Sequence, residues 1–112
     1  EIEYFCGDKI AFLKVKDADL VKHGLEMDET RDIIDMIMNI ESVEAAILFR
    51  EDGVSDFKIS LRSKGRFEVL DIAETLGGGG HIFSAGAYLK GRYEELKEKT
   101  LKLVTKQFQM AS

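Results

Sequence analysis

The 112-residue sequence has no proline, one cysteine, two histidines and no long apolar run. Each shortage excludes something. A lone cysteine, Cys6, permits no internal disulfide and no cysteine-based zinc site. With no proline, no low-complexity stretch and no internal repeat, nothing marks a linker, and a chain of this length suits one domain rather than two. The longest apolar runs, such as Ala45 to Phe49, are about five residues, far short of the roughly 20 that a membrane-spanning helix needs. No secretory signal precedes the first strand pattern, so a cytoplasmic protein with no membrane partner is expected. Neither His23 nor His81 has a partner at metal-ligand spacing, and Asp32 and Asp35 read as the hydrated face of a helix. Residue 1 is Glu rather than Met, and a structured pattern follows within a few residues. This reads as a piece cut from a longer protein.

What is there is enough for a core. The apolar fraction is 45%, a globular value. Net charge is −5, which at face value argues against a nucleic-acid partner. Its distribution is uneven. Residues 17–56 carry twelve acids against three bases, whereas 57–92 carry six bases against three acids, and Lys58 to Arg66 contains no acid. Such a strip either focuses a small anionic ligand or merely solvates a surface.

Periodicity assigns the elements. "KIAFLKVK" (9–16) and "VEAAILFR" (43–50) read as strands buried on both faces. From Asp28 as N-cap, Ile33, Ile37 and Ile40 recur at helical spacing, with Ile34 and Met38 beside them. "EDGVSD" (51–56) is a turn, with Asp-Gly its strongest signal. "FKISLRSK" (57–64) alternates, placing Phe57, Ile59 and Leu61 on one face and Lys58, Ser60 and Arg62 on the other. "FEVLDIAETL" (67–76) starts extended and becomes a short helix, "AGAYLKG" (85–91) is another strand, and "RYEELKEKTLKLVTKQF" (92–108) is a last amphipathic helix. Met27, Met36 and Met38 read as core filler, and His23 as a loop or surface residue. The fold class expected is α/β, one domain over 1–112, with a mixed β-sheet flanked by helices.

Between the short helix and that last strand lies "GGGGHIFSAG" (77–86). One glycine after a helix is an ordinary cap, which accounts for Gly77 and extends at most to Gly78. The remainder admits two readings. Either the run is a tight turn packed against neighbouring backbone, or bare amides beside His81 form a bed for an anion. Were a helical turn to begin at "HIFSAG", its free N–H groups would add to that bed. At neutral pH the His81 imidazole could respond to a bound phosphate. A Walker loop is excluded because His81 follows the glycines, and the dinucleotide fingerprint because they follow a helix. Arg62, two residues from Ser60 on one strand face, offers a planar fork that suits phosphate; its alternative is a surface salt bridge. Lys64 and Arg66 suit ligand contact or solvated surface equally.

"GGGGHIFSAGA" resembles the GGGGHxxAAG signature of the DHHA1 domain, the C-terminal half of DHH-family phosphoesterases. "KISLRSKGRFEVLDIAETL" is similar to that family's SxRSK stretch, hydrophobic helix and glycine loop, in the same order and spacing. The likeness runs from about Lys9 onward and is most specific between Ser60 and Gly86; Ser84 departs from it, standing where the signature has alanine. The nearest members of the group are small two-domain enzymes that degrade very short oligonucleotides, 3′-phosphoadenosine phosphate (pAp), and linear or cyclic dinucleotides. The resemblance implies a DHHA1-like fold and a phosphate site made by Ser60, Arg62, Ser63, Lys64, Gly78, Gly79, Gly80 and His81. It implies no catalytic or metal-binding residue in this chain. Two manganese ions would belong to an N-terminal DHH domain of the same chain, and a homodimer of the full protein is compatible with it. On this reading the 112 residues bind and orient a substrate and do not cleave it alone. A non-catalytic RNA-binding module, like the tail of alanyl-tRNA synthetase, and a purely structural domain are the alternatives.

Overall fold

A computed structural model describes residues 2–16 and 30–111. The expected cap Asp28, and His23 and Met27, lie outside the described residues, as does the side chain of Asp32. The described residues form strands β1 (Glu3–Phe5), β2 (Ile10–Lys16), β3 (Ala45–Gly53), β4 (Asp56–Ser63), β5 (Gly79–His81) and β6 (Ser84–Lys90). Helices α1 (Thr30–Met38), α2 (Leu70–Thr75) and α3 (Tyr93–Met110) complete them. The strands make one sheet in the order β1-β2-β3-β4-β6-β5. Only β2 and β3 run parallel, so the sheet is mixed. That agrees with the α/β reading, because α1 lies in the connection that a parallel pair requires.

Alternation along the strands sorts the sheet into two faces. One carries Ile10, Phe12, Ile47, Phe49, Phe57, Ile59 and Leu61, packed beneath α2 and α3 with Val104, Ile72 and Phe67. Phe12 and Phe49 meet at 5.1 Å between ring centres, and Tyr93 of α3 closes over Phe49 edge-on at 5.9 Å. Each fully buried large side chain here contributes about 1.5–3 kcal/mol. The opposite face carries Ala11, Ala46 and Leu48, covered by Ile34 and Ile37 of α1 and by Val43. The core reading of Met36 does not hold, since that side chain is 71% exposed. Ile34 and Ile37 are the buried residues of α1, Ile33 and Met38 are half-buried beside them, and Met36 falls off that face.

Two strands escaped the sequence reading. β1 is three residues long and pairs only with β2, its Glu3 side chain held by Lys97 of α3 at 2.7 Å. β5 is built largely of glycine, which strand preference would place in a loop. No helical turn begins at His81. Ile82 and Phe83 instead form the two-residue tip of a β5–β6 hairpin. The tip is anchored by Ser63 N–H to the Phe83 carbonyl (2.9 Å) and Val69 N–H to the Ile82 carbonyl (2.7 Å). The β3–β4 turn also falls two residues later than Asp-Gly, at Val54-Ser55, with Ser55 at φ 65° and a register shift between Glu51 and Gly53. Arg50 holds Asp52 through Nε (2.5 Å) and Nη2 (2.9 Å), keeping Asp52 within the strand.

Candidate phosphate-binding face

The register lines up the sequence-identified residues. Across the sheet, Ala11, Ala46, Arg62, Ser84 and His81 form one row. The next row is Leu13, Leu48, Ser60, Gly86 and Gly79, and the next is Val15, Arg50, Lys58 and Tyr88. Residues opposite each other share a face. The β2–β3 half of the first two rows is apolar and lies under α1; the β4–β6–β5 half is half-buried or exposed. Past the edge of α1 the sheet therefore presents a shallow tray. Gly79 and Gly86 are its floor, Ser60 is beside them, and Arg62, Ser84 and His81 make a wall.

The four glycines divide the work. Gly77, at φ 89°, donates its N–H to Glu74 carbonyl oxygen (3.0 Å), and Gly78 donates to Ala73 (2.7 Å). These two bonds are the Schellman closure of α2. A Cβ on Gly78 would lie 2.0 Å from the Gly86 carbonyl oxygen and 2.7 Å from Ala87 Cα. Gly80 combines φ 142° with an approach of 2.7 Å to Ala85 Cα, and Gly86 would meet the Ile59 carbonyl oxygen at 2.6 Å. Backbone packing thus accounts for Gly78, Gly80 and Gly86. Gly79 is different: no atom of the described residues lies within 4 Å of its Cβ position, and its φ is outside the left-handed range. No packing requirement explains glycine there.

The remaining predicted site residues separate. Ser63 points to the α3 face, is buried, and accepts the Gly65 N–H at 3.1 Å, so it shapes the β4 exit rather than the tray. Lys64 donates through Nζ to the Ile40 carbonyl at 2.9 Å, beyond the end of α1. Arg62 hydrogen-bonds the Asp35 carboxylate of α1 through Nη1. This is the salt bridge left open by the sequence, and it holds the guanidinium at the rim of the tray, with its side chain 26% exposed. Arg66 stacks on the Phe108 ring at 4.2 Å, on the other side of the sheet. Sequence reasoning passed over Ser84 and Gly86 as tray residues and took Tyr88 only as part of a strand. Their two-residue spacing on β6 is the signal that matches them to Ser60 and Arg62.

Among the described residues no three His, Cys, Asp or Glu side chains gather where they could hold a metal ion. No helix among them is long and apolar enough to cross a membrane. A separate groove of about 540 Å³ runs between Phe5 and α3, floored by Leu101 and rimmed by Lys97 and Lys102. None of the predicted site residues reaches it.

A mixed sheet with this glycine hairpin and an Arg-Ser strand beside it defines a class, and the match to known families agrees: the chain belongs to the DHHA1 domain family, over residues 7–110. Among characterised relatives it is similar to the bifunctional oligoribonuclease and PAP phosphatase NrnA of Thermus thermophilus, 34% identical over 87 residues. That alignment takes in 75% of this chain and 26% of the relative, so the chain spans about a quarter of that protein. Among solved structures, an exopolyphosphatase-related protein from Bacteroides fragilis superposes with a TM-score of 0.83 at 22% identity, over 98% of this chain and 32% of that one. The C-Ala domain of Aquifex aeolicus alanyl-tRNA synthetase superposes at 0.63 with 14% identity, over 96% of this chain and 97% of that domain. These two likenesses concern the fold.

Proposed function

We propose that this chain is the substrate-binding domain of a manganese-dependent phosphodiesterase acting on short oligoribonucleotides, dinucleotides or pAp. A DHH half of the same polypeptide, in the cytoplasm, would carry the two metal ions. The described residues offer no ligand set for them, so no step through a metal is assigned to this chain. Its own work is binding and orientation. A phosphate lies over Gly79 and Gly86, Ser60 and Ser84 donate their hydroxyl protons to its oxygens, and Arg62 supplies charge-matched N–H donors. His81 donates a ring N–H from the exposed end of the row. The observation that carries this reading is Gly79, an unforced glycine beside Arg62, Ser60 and His81 on one exposed sheet face.

Titration calorimetry with a 5′-phosphorylated dinucleotide tests it. Arg62→Ala removes charged hydrogen bonds worth about 1.5–3 kcal/mol and should weaken binding about 10- to 150-fold. His81→Ala should weaken it less, and the chain alone should show no turnover with added manganese. Unchanged heats in both variants contradict the proposal. The likeness to the C-Ala domain favours a second reading, an RNA-binding module. That reading requires binding to folded tRNA with a steep loss on adding salt.

A further inference from the structure

The tray continues beyond the residues that would hold a phosphate. In the row after Ser60, Gly86 and Gly79 stand Lys58 and Tyr88. Tyr88 is 73% exposed, and Lys58 Nζ sits 5.9 Å from the centre of its ring. An exposed tyrosine on a strand is by itself ordinary. Its neighbours give it chemistry. Tyr88 lines a cleft of about 430 Å³ that also touches Asp56 and Lys90. Gly86 and Tyr88 are two residues apart on one strand, so their Cα atoms lie about 7 Å apart along the same face. That separation is of the order of the reach from a nucleotide's phosphate to its own base. Among the described residues Lys58 forms no salt bridge, whereas Arg50 in the same row is matched by Asp52 and Arg62 in the first row by Asp35. An unmatched cation beside an exposed aromatic ring suits a group that is both flat and anionic at one end.

We infer that Tyr88 is a stacking platform for a nucleobase whose own phosphate occupies the tray, with Lys58, opposite Tyr88 in the same row, attracting the nucleotide's negative charge. The inference rests on the phosphate reading above and narrows it: the site takes a nucleotide in preference to a bare polyphosphate chain. A tyrosine face accepts any base, because every base has a π-face, so the platform confers a requirement for a base and little choice among bases.

The test compares three probes on the same chain: a 5′-phosphorylated dinucleotide, its abasic analogue with the same phosphates, and tripolyphosphate. The parent should bind the dinucleotide about 5- to 150-fold more tightly than the abasic analogue, the worth of one stacked base. Tyr88→Ala should remove that difference while leaving the abasic analogue and tripolyphosphate unchanged, and Tyr88→Phe should keep it. The ring is exposed, so both variants should melt with the parent. Tyrosine ring protons should also move upfield in the NMR spectrum on adding dinucleotide, and the shift should vanish with Tyr88. If the parent binds dinucleotide and abasic analogue equally, or Tyr88→Ala weakens both alike, the platform is overturned and the phosphate site stands. If the parent binds none of the probes, the phosphate reading itself fails and the platform with it.

Discussion

Adding one methyl group at two neighbouring glycines should separate folding from binding. At Gly79 an added Cβ meets nothing within 4 Å among the described residues, and the backbone is not in the left-handed region. Gly79→Ala should therefore leave stability unchanged or raise it by about 0.4–1 kcal/mol, since alanine restricts the unfolded chain. At Gly78 the same methyl would lie 2.0 Å from the Gly86 carbonyl oxygen, and the obstructing atom is backbone that cannot swing aside. Gly78→Ala should cost at least the 1–3 kcal/mol typical of overpacking and loosen the β5–β6 hairpin. Binding should follow another rule. If a phosphate rests on the tray floor, the Gly79 methyl occupies its place and forces it off the Ser60 and Arg62 donors. Loss of one charge-assisted hydrogen bond, about 1.5–3 kcal/mol, corresponds to about a 10- to 150-fold weaker complex. Thermal melts and calorimetry with the phosphorylated dinucleotide read the two effects on the same samples. A Gly79→Ala chain that melts with the parent and binds like it would refute the idea that this glycine exists for a ligand. The whole run would then be a turn.

Two further predictions concern stability. Thr100 is fully buried in α3, and its hydroxyl oxygen finds no hydrogen-bond partner among the described residues. Thr100→Val should stabilise the fold by about 1 kcal/mol, raising the melting temperature by about 4 °C or more; a lower melting temperature would mean the hydroxyl is satisfied. Burial raises the Tyr93 pKa above 10.0, and the hydrogen bond to Glu3 raises that of Lys97 above 10.5. Both groups hold their protons more tightly when folded, so their contribution is fully present below about pH 10 and is lost as pH rises through the higher folded values. Urea midpoints at pH 7, 9 and 11 should fall only over the last interval, and less steeply in Tyr93→Phe; equal slopes would contradict this.

Much of the fold was legible because periodicity reports burial. The Phe57-Ile59-Leu61 alternation gave the orientation of β4, and with it the common face of Ser60 and Arg62. The isoleucines marked α1 as amphipathic, although the structure buries Ile34 and Ile37 and leaves Ile33 and Ile40 half-buried. β5 was not legible, since glycine carries no side chain and hence no pattern; only its contact with β6 makes it a strand. The same limit applies to the site. A sequence shows four equivalent glycines, whereas the structure distinguishes Gly77 by dihedral angle, Gly78 and Gly80 by contact, and Gly79 by the lack of contact. Ser63 looked like a companion of Arg62, but adjacent residues on a strand face opposite ways, and its hydroxyl serves Gly65. Ser84 looked like a departure from a signature, and it lies directly opposite Arg62.

Chemical-shift mapping of the labelled chain during titration with a 5′-phosphorylated dinucleotide asks most directly where the anion sits. Saturating shifts at Ser60, Arg62, Gly79, His81, Ser84 and Gly86 are the result expected. Shifts confined to the Phe5–Leu101 groove, or none at all at millimolar ligand, would contradict a phosphate site on this face.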